Sequence, residues 1–594
     1  MLDARLYRAA LAPILFALIL AAFSLEDLPR PLRSTLAPDA FQAHRAFLDL
    51  QDMAARFPNR RPGGASDDAL ARRVAVKLRG AGLPGGPRPF SVRLVRDEGE
   101  TIDGERTLTN VIARRAGAAG SQIVVVAHRD AAKPGSIAEL SGTAALVELG
   151  RVLAAANVRR TITLVSTSGG SGGAAGARAL ADQLGGAPVD AVLVLGDMAS
   201  RHPHKPWVVS YSDGGGVAPM RLTRTVQDAV ASGAGADAGG PRAVTQWARM
   251  ALPLTVGEQG ALGRAGLPAV LLSASGEREP RPGAAVSEET LQRFGRAALR
   301  TVQALDSGPD IGGGPSPEIV TQRKVLPEWP VRLLVAALLL PALLVAVDGF
   351  ARLRRRREPI ARGIAWVIAG AVPFLVALAF VFALAKTGLL PATPAAPVPK
   401  GAIAVSAAAL VSTLLVFVLC WLVARPFLLR VAGADRAPQD LGNPGAMVIV
   451  LAVLAAATWL VNPYAAALLV VALHAWLLIL APGVRLRRGA AIALLLAGLV
   501  PIAGFVLADA RSLGLGPVDT AWMALLLVAG GHVGFGTWLL WSLFAAVTIG
   551  VGGLALRPPP APPAHRHDPD VTVRGPLTYA GPGSLGGTES ALRR

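Results

Sequence analysis

The side chains able to do chemistry fall where strand-like apolar runs stop. His128-Arg129-Asp130 follows the run 121–127 (SQIVVVA), Ser168-Gly169-Gly170 follows 160–167 (RTITLVST), and Asp197-Met198 follows 189–196 (VDAVLVLG). Imidazole and carboxylate groups at such ends are the ones that ligate metals or carry protons. The stretch Gly169-Gly170-Ser171-Gly172-Gly173 also has the form G-x-S-x-G between a strand-like and a helical run, the context of a nucleophile elbow, so a serine hydrolase is one reading. Its triad needs an acid and then a histidine downstream. Before His474 only His202 and His204 follow Ser171, crowded against Asp197, which makes poor triad geometry and leaves a plain glycine-rich turn as the other reading.

These positions require a scaffold, and the periodicity supplies one. Residues 39–57 and 66–81 read as amphipathic helices, the second opened by Ser66-Asp67-Asp68 as a cap and ended by Gly80 and Gly82. Strand-like runs then fall at 88–96, 107–115, 121–127, 160–167, 189–196, 206–211 and 267–273, alternating with helical stretches at 139–156, 174–185, 217–232 and 287–305. Such alternation predicts an α/β domain with a largely parallel sheet covered on both faces. In sheets of that kind the loops at the carboxyl edge converge over a crevice, which is where the three strand ends above would meet.

The rest of the chain is built for lipid. Of 594 residues 52% are hydrophobic and only 17% charged, and the mean hydropathy is +0.46. A soluble chain carries about a quarter charged residues. Segment 9–25 follows Arg5 and Arg8 and lacks a clear cleavage site before Glu26-Asp27, so it reads as an uncleaved anchor, with a cleaved signal peptide as the other reading. Further spans are predicted at 331–350, 363–385, 401–424, 445–462, 463–481, 489–508 and 537–556, each about a bilayer thick. Segment 520–536 is apolar but broken by glycines, and reads as interfacial, re-entrant or the start of a tilted helix.

Arginines follow the second span (Arg352, Arg354 to Arg357), the fourth (Arg425, Arg430) and the sixth (Arg485, Arg487, Arg488). The bias of basic residues toward the cytoplasm therefore puts residues 26–330 outside, in the plasma membrane of a multi-pass protein with a cytoplasmic C-terminus. Loops 387–400 and 509–519 fall on the same outer side. The tail 557–594, proline-rich and then glycine-rich, predicts disorder. The net charge of +19 is mainly this topology signal, and without a basic stripe interleaved with aromatics the soluble part is not a nucleic-acid binder. The single Cys420 lies in an apolar run, which excludes an intrachain disulfide and a cysteine-rich metal site. His474 and His532 lie in apolar segments, which raises proton or ion movement as a reading; no acid or base near the middle of a span partners them, and a neutral histidine bonded to a neighbouring helix is the simpler one.

Over residues 39–305 the chain resembles the M28 family of zinc aminopeptidases. The likeness rests on Asn59-Arg60-Arg61-Pro62-Gly63-Gly64, Thr109-Asn110-Val111-Ile112-Ala113, His128-Arg129-Asp130, Ser141-Gly142-Thr143-Ala144-Ala145, Asp197, and Ala265-Gly266-Leu267-Pro268-Ala269-Val270, in that order. It implies an M28-like mixed sheet, largely parallel and flanked by helices, joined here to a polytopic α-helical transmembrane bundle. The resemblance also implies two zinc ions, held by histidines and carboxylates, and a glutamate base. His128 matches the first metal-binding histidine, Asp130 the carboxylate that orients it, and Asp197 a later ligand.

The remaining set departs from the family pattern. The bridging aspartate falls on Ala138, beside Glu139, with a register uncertain by one residue. The Glu-Glu pair of base and ligand falls on Gly169 and Gly170, and Glu258-Gln259 stands where the family shows Asp-His. What is left is vestigial: Asp130 and Glu139 from the catalytic set, and His128 and Asp197 as an incomplete metal set. For His128 a residual metal and a plain hydrogen bond to Asp130 are both open. His202 and His204 are the residues that could rebuild the site or lie as plain surface, and zinc is expected only if it is rebuilt.

The expected function is a membrane-anchored M28-like protein without normal zinc aminopeptidase activity. It would bind a peptide, protein or lipid-linked ligand at the former cleft, and its other partner is the lipid bilayer. An active metallopeptidase with a rearranged site is the alternative, and a transporter the third. The order of parts is similar to that of membrane-bound M28 relatives and of the attachment subunit of the GPI transamidase family, whose M28-like domain lacks peptidase chemistry.

Overall fold

The computed structural model describes residues 4–556 except 35, 37, 82–89, 185–187, 241, 242, 322, 392–397, 438–441, 482, 483 and 485. The expected tail, 557–594, lies outside the described residues, as does the cap expected at Gly82. Chain order begins with α1 (Ala4–Phe23), β1 (Glu26–Asp27), α2 (Ala43–Arg56), α3 (Ala65–Arg79), β2 (Ser91–Thr101), β3 (Gly104–Arg115) and β4 (Gln122–His128). It continues with α4 (Ser141–Ala155), β5 (Thr161–Thr167), α5 (Ala175–Gln183), β6 (Val189–Leu195), β7 (Val208–Val209), α6 (Met220–Ala234), α7 (Ala243–Ala251), α8 (Glu258–Arg264), β8 (Ala269–Leu272) and α9 (Glu288–Ser307).

The main sheet has the order β2-β3-β5-β4-β6-β8-β7. Its centre, β5-β4-β6-β8, is parallel, while β2, β3 and β7 pair antiparallel at the two edges, so the sheet is mixed around a parallel middle. The central strands are buried on both faces. Ile123 to Ala127 of β4 are wholly inaccessible, one face meeting α2, α3, α4 and α9, the other α5, α8 and the strands of the membrane side. An uninterrupted β-branched run suits a strand covered on both faces, and each buried valine contributes about 1.5–3 kcal/mol.

Two short helices and a small sheet escape the sequence reading. α7 and α8 are nine and seven residues long, too short for a clear period, and β1 pairs with β10 (Lys324–Leu326), which pairs with β9 (Ile319–Val320). This ribbon ties the exit of α1 to the entry of the second membrane helix. The cap expected at Ser66-Asp67-Asp68 is corrected: α3 begins after Gly64 with no side-chain cap. Asp67 turns inward instead, ion-paired to Arg129 at 2.8 Å with both side chains fully buried, and it accepts from Ser168 Oγ.

Among the described residues, eight helices are long and apolar enough to cross a membrane: α1, α10 (Glu328–Arg355), α11 (Ile360–Lys386), the span Ala407–Val431, α14 (Gly442–Val461), α15 (Pro463–Leu480), α16 (Arg488–Leu513) and α18 (Phe535–Ala555). Within Ala407–Val431, α12 (Ala407–Leu419) passes through a π-helical turn at Cys420–Ala424 into α13 (Arg425–Val431). The glycine-broken segment 520–536 becomes α17 (Pro517–Ala529), 13 residues and too short to span, followed by a turn into α18. It packs on α11, with Trp522 Nε1 donating to Ile403 O at 3.4 Å.

The α/β domain rests on the bundle through α7. Trp247 Nε1 donates to Tyr464 O at 3.0 Å, Asn462 Nδ2 to Met250 O at 2.8 Å, and Tyr464 Oη to Pro317 O at 3.2 Å. Asn462, whose side chain also caps α15, thus marks the domain-side turn between α14 and α15. The arginine-rich ends of α10 and α13 and the start of α16 lie at the other end of the bundle. His474 is half-buried between helices, with Nε2 at 2.9 Å from Leu338 O and Nδ1 at 3.1 Å from Tyr7 Oη, bonded to neighbouring helices on both sides.

Candidate functional site

The three strand ends singled out by the sequence converge. β4, β5 and β6 lie side by side in the parallel centre, so His128, Ser168 and Asp197 emerge at one carboxyl edge. The Ser141-Gly142-Thr143 motif holds two of these ends at the start of α4. Thr143 Oγ1 donates to His128 O at 2.8 Å, and Ser141 Oγ accepts from Met198 N at 2.7 Å. A side chain at 142 would meet the carbonyl oxygens of Gly196 and Leu195 at 2.5 Å, so glycine is required for α4 to close on β6.

The loop 168–174 is fixed by two side chains. Asn110 accepts from Ser168 N at 3.3 Å and donates to Gly176 O at 2.9 Å. Asp130, fully buried, takes Gly170 N–H at 2.9 Å on Oδ1, and Ser171 N–H at 3.0 Å and Ser171 Oγ–H at 2.6 Å on Oδ2. Ser171, 1% exposed and donating its proton to Asp130, is a structural hydroxyl rather than the exposed tip of a nucleophile elbow. Arg60 and Arg129, both fully buried, close the floor: Arg60 donates to Arg129 O and Ser136 O, and Arg129 to Ser166 O and Thr109 O. The Asn59-Gly64 and Thr109-Asn110 motifs therefore act as scaffold.

Gly170 is pressed directly against His128. A Cβ there would overlap the His128 Cβ and stand 2.6 Å from its Cγ, so no side chain of any kind fits at 170 with the present backbone. The imidazole in turn keeps Nδ1 toward Asp130, 3.2 Å from its carbonyl oxygen and 3.8 Å from Oδ1. Burial disfavours the imidazolium, but the carboxylates of Asp130, Glu258 and Glu139 outweigh it and hold the His128 pKa above its usual value.

A crevice of about 50 Å³ opens beside this group, lined by His128, Glu139, Gly170, Asp197, Glu258 and the segment Ser275 to Pro280. Glu139, Asp197 and Glu258 are each 4% exposed or less. Asp197 Oδ1 accepts from Ala199 N and Ser200 N at 3.0 and 2.9 Å, and Glu258 Oε1 accepts from Thr167 Oγ1 at 2.5 Å. Among the described residues, Glu139 Oε2, Asp197 Oδ2 and Glu258 Oε2 have no hydrogen-bond partner at bonding geometry. Burial raises all three carboxyl pKa values, that of Glu139 to about 7, against the pull of His128 and Arg60. Glu279 at the mouth is raised by burial and by Glu139.

Glu258 and Glu279 were not assigned a role from the sequence. Glu258 sits at the position noted for its departure from Asp-His, and its aim into the crevice depends on α8, a helix the periodicity does not reveal. The two-zinc set does not fit here. No group of three or more His, Cys, Asp or Glu residues is gathered for one metal ion among the described residues, and nothing at 169 or 170 supplies a base or ligand. His202 and His204 lie farther out, exposed, on the wall of a larger cleft of about 810 Å³ that shares Glu139, Val256 and Ser275 to Pro280 with the crevice. The outer wall of that cleft is Val398 to Ala402 and Leu513 to Leu515, so both loops predicted on the domain's side of the membrane are found there.

Residues 110–241 match the family model described as Peptidase family M28. No curated protein matches the chain. Solved structures with a similar chain path include Porphyromonas gingivalis glutaminyl cyclase, with 16% identity, 44% of this chain and 98% of that one covered, and a TM-score of 0.31. The Legionella pneumophila LapA aminopeptidase gives 14% identity, 48% and 78% coverage and a TM-score of 0.37. A leucine aminopeptidase precursor from Bacteroides thetaiotaomicron gives 15% identity, 46% and 99% coverage and a TM-score of 0.34.

Proposed function

We propose that this chain, an M28-like domain carried on a membrane-spanning bundle, is a binding protein that has given up two-zinc hydrolysis and holds a ligand in the cleft beside the membrane. The observation that carries the reading is the contact of Gly170 with His128. The family's base and ligand pair falls on Gly169-Gly170, and here Gly170 lies so close to the histidine that no carboxylate side chain fits at 170 without moving the backbone. Asp130 fixes the loop there by accepting from Gly170 and Ser171 rather than orienting a metal-bound imidazole. A hydrolase of this type needs a polarising cation and a proton acceptor at the same point, and the crevice provides acids without that arrangement.

The basic ends of α10 and α13 and the Arg487-Arg488 pair favour a cytoplasmic location for the end of the bundle away from the domain, with the cleft outside the plasma membrane. The test is metal analysis of the purified full-length protein together with aminoacyl-p-nitroanilide hydrolysis. Sub-stoichiometric zinc and no chelator-sensitive release of nitroaniline are expected. Two zinc ions per chain with chelator-sensitive turnover would reverse the assignment.

A further inference from the structure

We infer that one wall of the crevice is carried by a membrane helix: the segment 275–280 is clamped to the domain-side end of α16, so that the tilt of α16 in the bilayer sets the shape of the crevice. The device is built into the fold and does not depend on which ligand the crevice holds.

The wall is fixed to the sheet at one end and to the membrane helix at the other. At its start, Ser273 N donates to Trp207 O at 2.9 Å and Ala274 N to Asp197 O at 2.6 Å, at the edge where the paired strands β6 and β8 stop. Three residues on, its side chains reach away from the sheet. Glu277, which lines both the crevice and the larger cleft, accepts from Arg249 and from Thr255 Oγ1. Arg249 in turn donates to Ser512 Oγ at 3.0 Å and lies 3.7 Å from Asp509, both on α16. Arg278, next in the wall, donates to Ser512 O at 3.0 Å and to Arg511 O. Carbonyls in the last turn of a helix are short of intrahelical donors, and a guanidinium there also meets the negative end of the helix dipole. The crevice wall thus supplies the C-terminal cap of a membrane helix.

That helix is the one built to move. Its 26 residues span about 39 Å, against a hydrocarbon thickness of about 30 Å, and a helix relieves such an excess by tilting or bending. Inside the protein 11% of its most apolar stretch is buried, compared with 39–44% for α10, α11, α14, α15 and α18. The first half is held, since Leu495 O accepts from Trp476 Nε1 at 3.2 Å and Gly498 leaves no room for a Cβ beside the same indole. Pro501 then interrupts the ladder of backbone hydrogen bonds, and beyond it Val506 and Leu507 are 43% and 48% exposed. Ser512 lies about 16 Å past Pro501, so a change of about 10° at that point moves the clamp by about 3 Å. A displacement of that size is comparable with the width of a crevice of about 50 Å³.

The facing wall has no such link. His128 and Asp197 stand at the ends of β4 and β6, and Glu139 precedes α4, all parts of the packed core of the domain. A shift of α16 therefore widens or narrows the crevice between a fixed wall and a carried one.

The experiment reconstitutes the full-length protein in thin bilayers of dimyristoleoyl phosphatidylcholine and in thick ones of dierucoyl phosphatidylcholine, and follows deuterium uptake by mass spectrometry. Peptides covering 273–284 are expected to exchange at rates that differ roughly fivefold between the two, the effect of loosening one hydrogen bond, while the β2-β3 hairpin exchanges alike in both. Arg278→Ala, at an exposed position, removes the cap and should cut the difference by half or more. Pro501→Ala keeps the clamp but stiffens the helix, and should also reduce it. Equal exchange of 273–284 in the two bilayers, a difference that both variants leave at full size, or one that the hairpin shares would overturn the inference.

Discussion

Gly170→Ala isolates the contact on which the loss of hydrolase chemistry rests. The added Cβ would overlap the His128 Cβ and stand 2.6 Å from its Cγ, so either the imidazole or the loop must move. Overpacking of this kind costs about 1–3 kcal/mol. Moving the loop also lengthens the 2.9 Å hydrogen bond from Gly170 N to the buried Asp130 carboxylate, a charge-assisted bond of about 1.5–3 kcal/mol, although Ser171 keeps two other donors on that carboxylate. A loss of about 3 kcal/mol is therefore expected, which at 2–4 °C per kcal/mol for a domain of this size lowers the melting temperature by roughly 6–12 °C. The assay is thermal unfolding followed by intrinsic tryptophan fluorescence on the full chain, with Gly120→Ala as the control, since a Cβ at 120 meets nothing within 4 Å. Wild-type melting of Gly170→Ala would refute the argument, and so would stoichiometric zinc uptake by a Gly169→Glu, Gly170→Glu double variant.

Ser171→Ala removes the 2.6 Å bond to Asp130 and is expected to cost about 1–2 kcal/mol, while a fluorophosphonate probe should label neither protein; labelling of Ser171 would restore the serine-hydrolase reading. Burial raises the pKa of Asp67 to about 6 and those of Glu139 and Asp213 to about 7, so the folded state holds these protons more tightly than the unfolded chain. Their contribution is complete below the ordinary carboxyl range and is lost as pH rises through about 6 to 7, so the α/β domain should melt at lower temperature at about pH 8 than at about pH 5, and Asp213→Asn should flatten that slope. Arg249 is the buried cation between domain and bundle, paired with Glu277 and 3.7 Å from Asp509 of α16, and it donates to Ser512 Oγ at 3.0 Å. Arg249→Met leaves those acids without their cation, at a cost of about 3–5 kcal/mol, and should make the segment linking domain and bundle more sensitive to limited proteolysis; unchanged cleavage would argue that the hydrogen bonds of Trp247, Asn462 and Tyr464 hold the two together without it.

Most of the scaffold was legible in the chain because its signals are local. Eight apolar runs of bilayer length gave eight helices, and β-branched runs gave the central strands, since either type of run can satisfy its backbone in only a few ways. The three strand ends at 128, 168 and 197 were legible for the same reason: a parallel sheet brings its carboxyl ends together whatever fills them. Local signals failed where a side chain's role is set by distant partners. Asp67 looked like a helix cap and instead neutralises Arg129 in the core, and Ser171 fitted an elbow yet serves as a donor to Asp130.

The sequence by itself determined the two-part architecture and the loss of the glutamate pair at 169 and 170. Only the tertiary structure decided that the vacated loop presses on His128, that α8 turns Glu258 into the crevice, and that the cleft is closed from outside by residues around 400 and 514. Those outcomes join groups from separate elements of the chain through packing and charge, and neither leaves a periodic trace along the sequence.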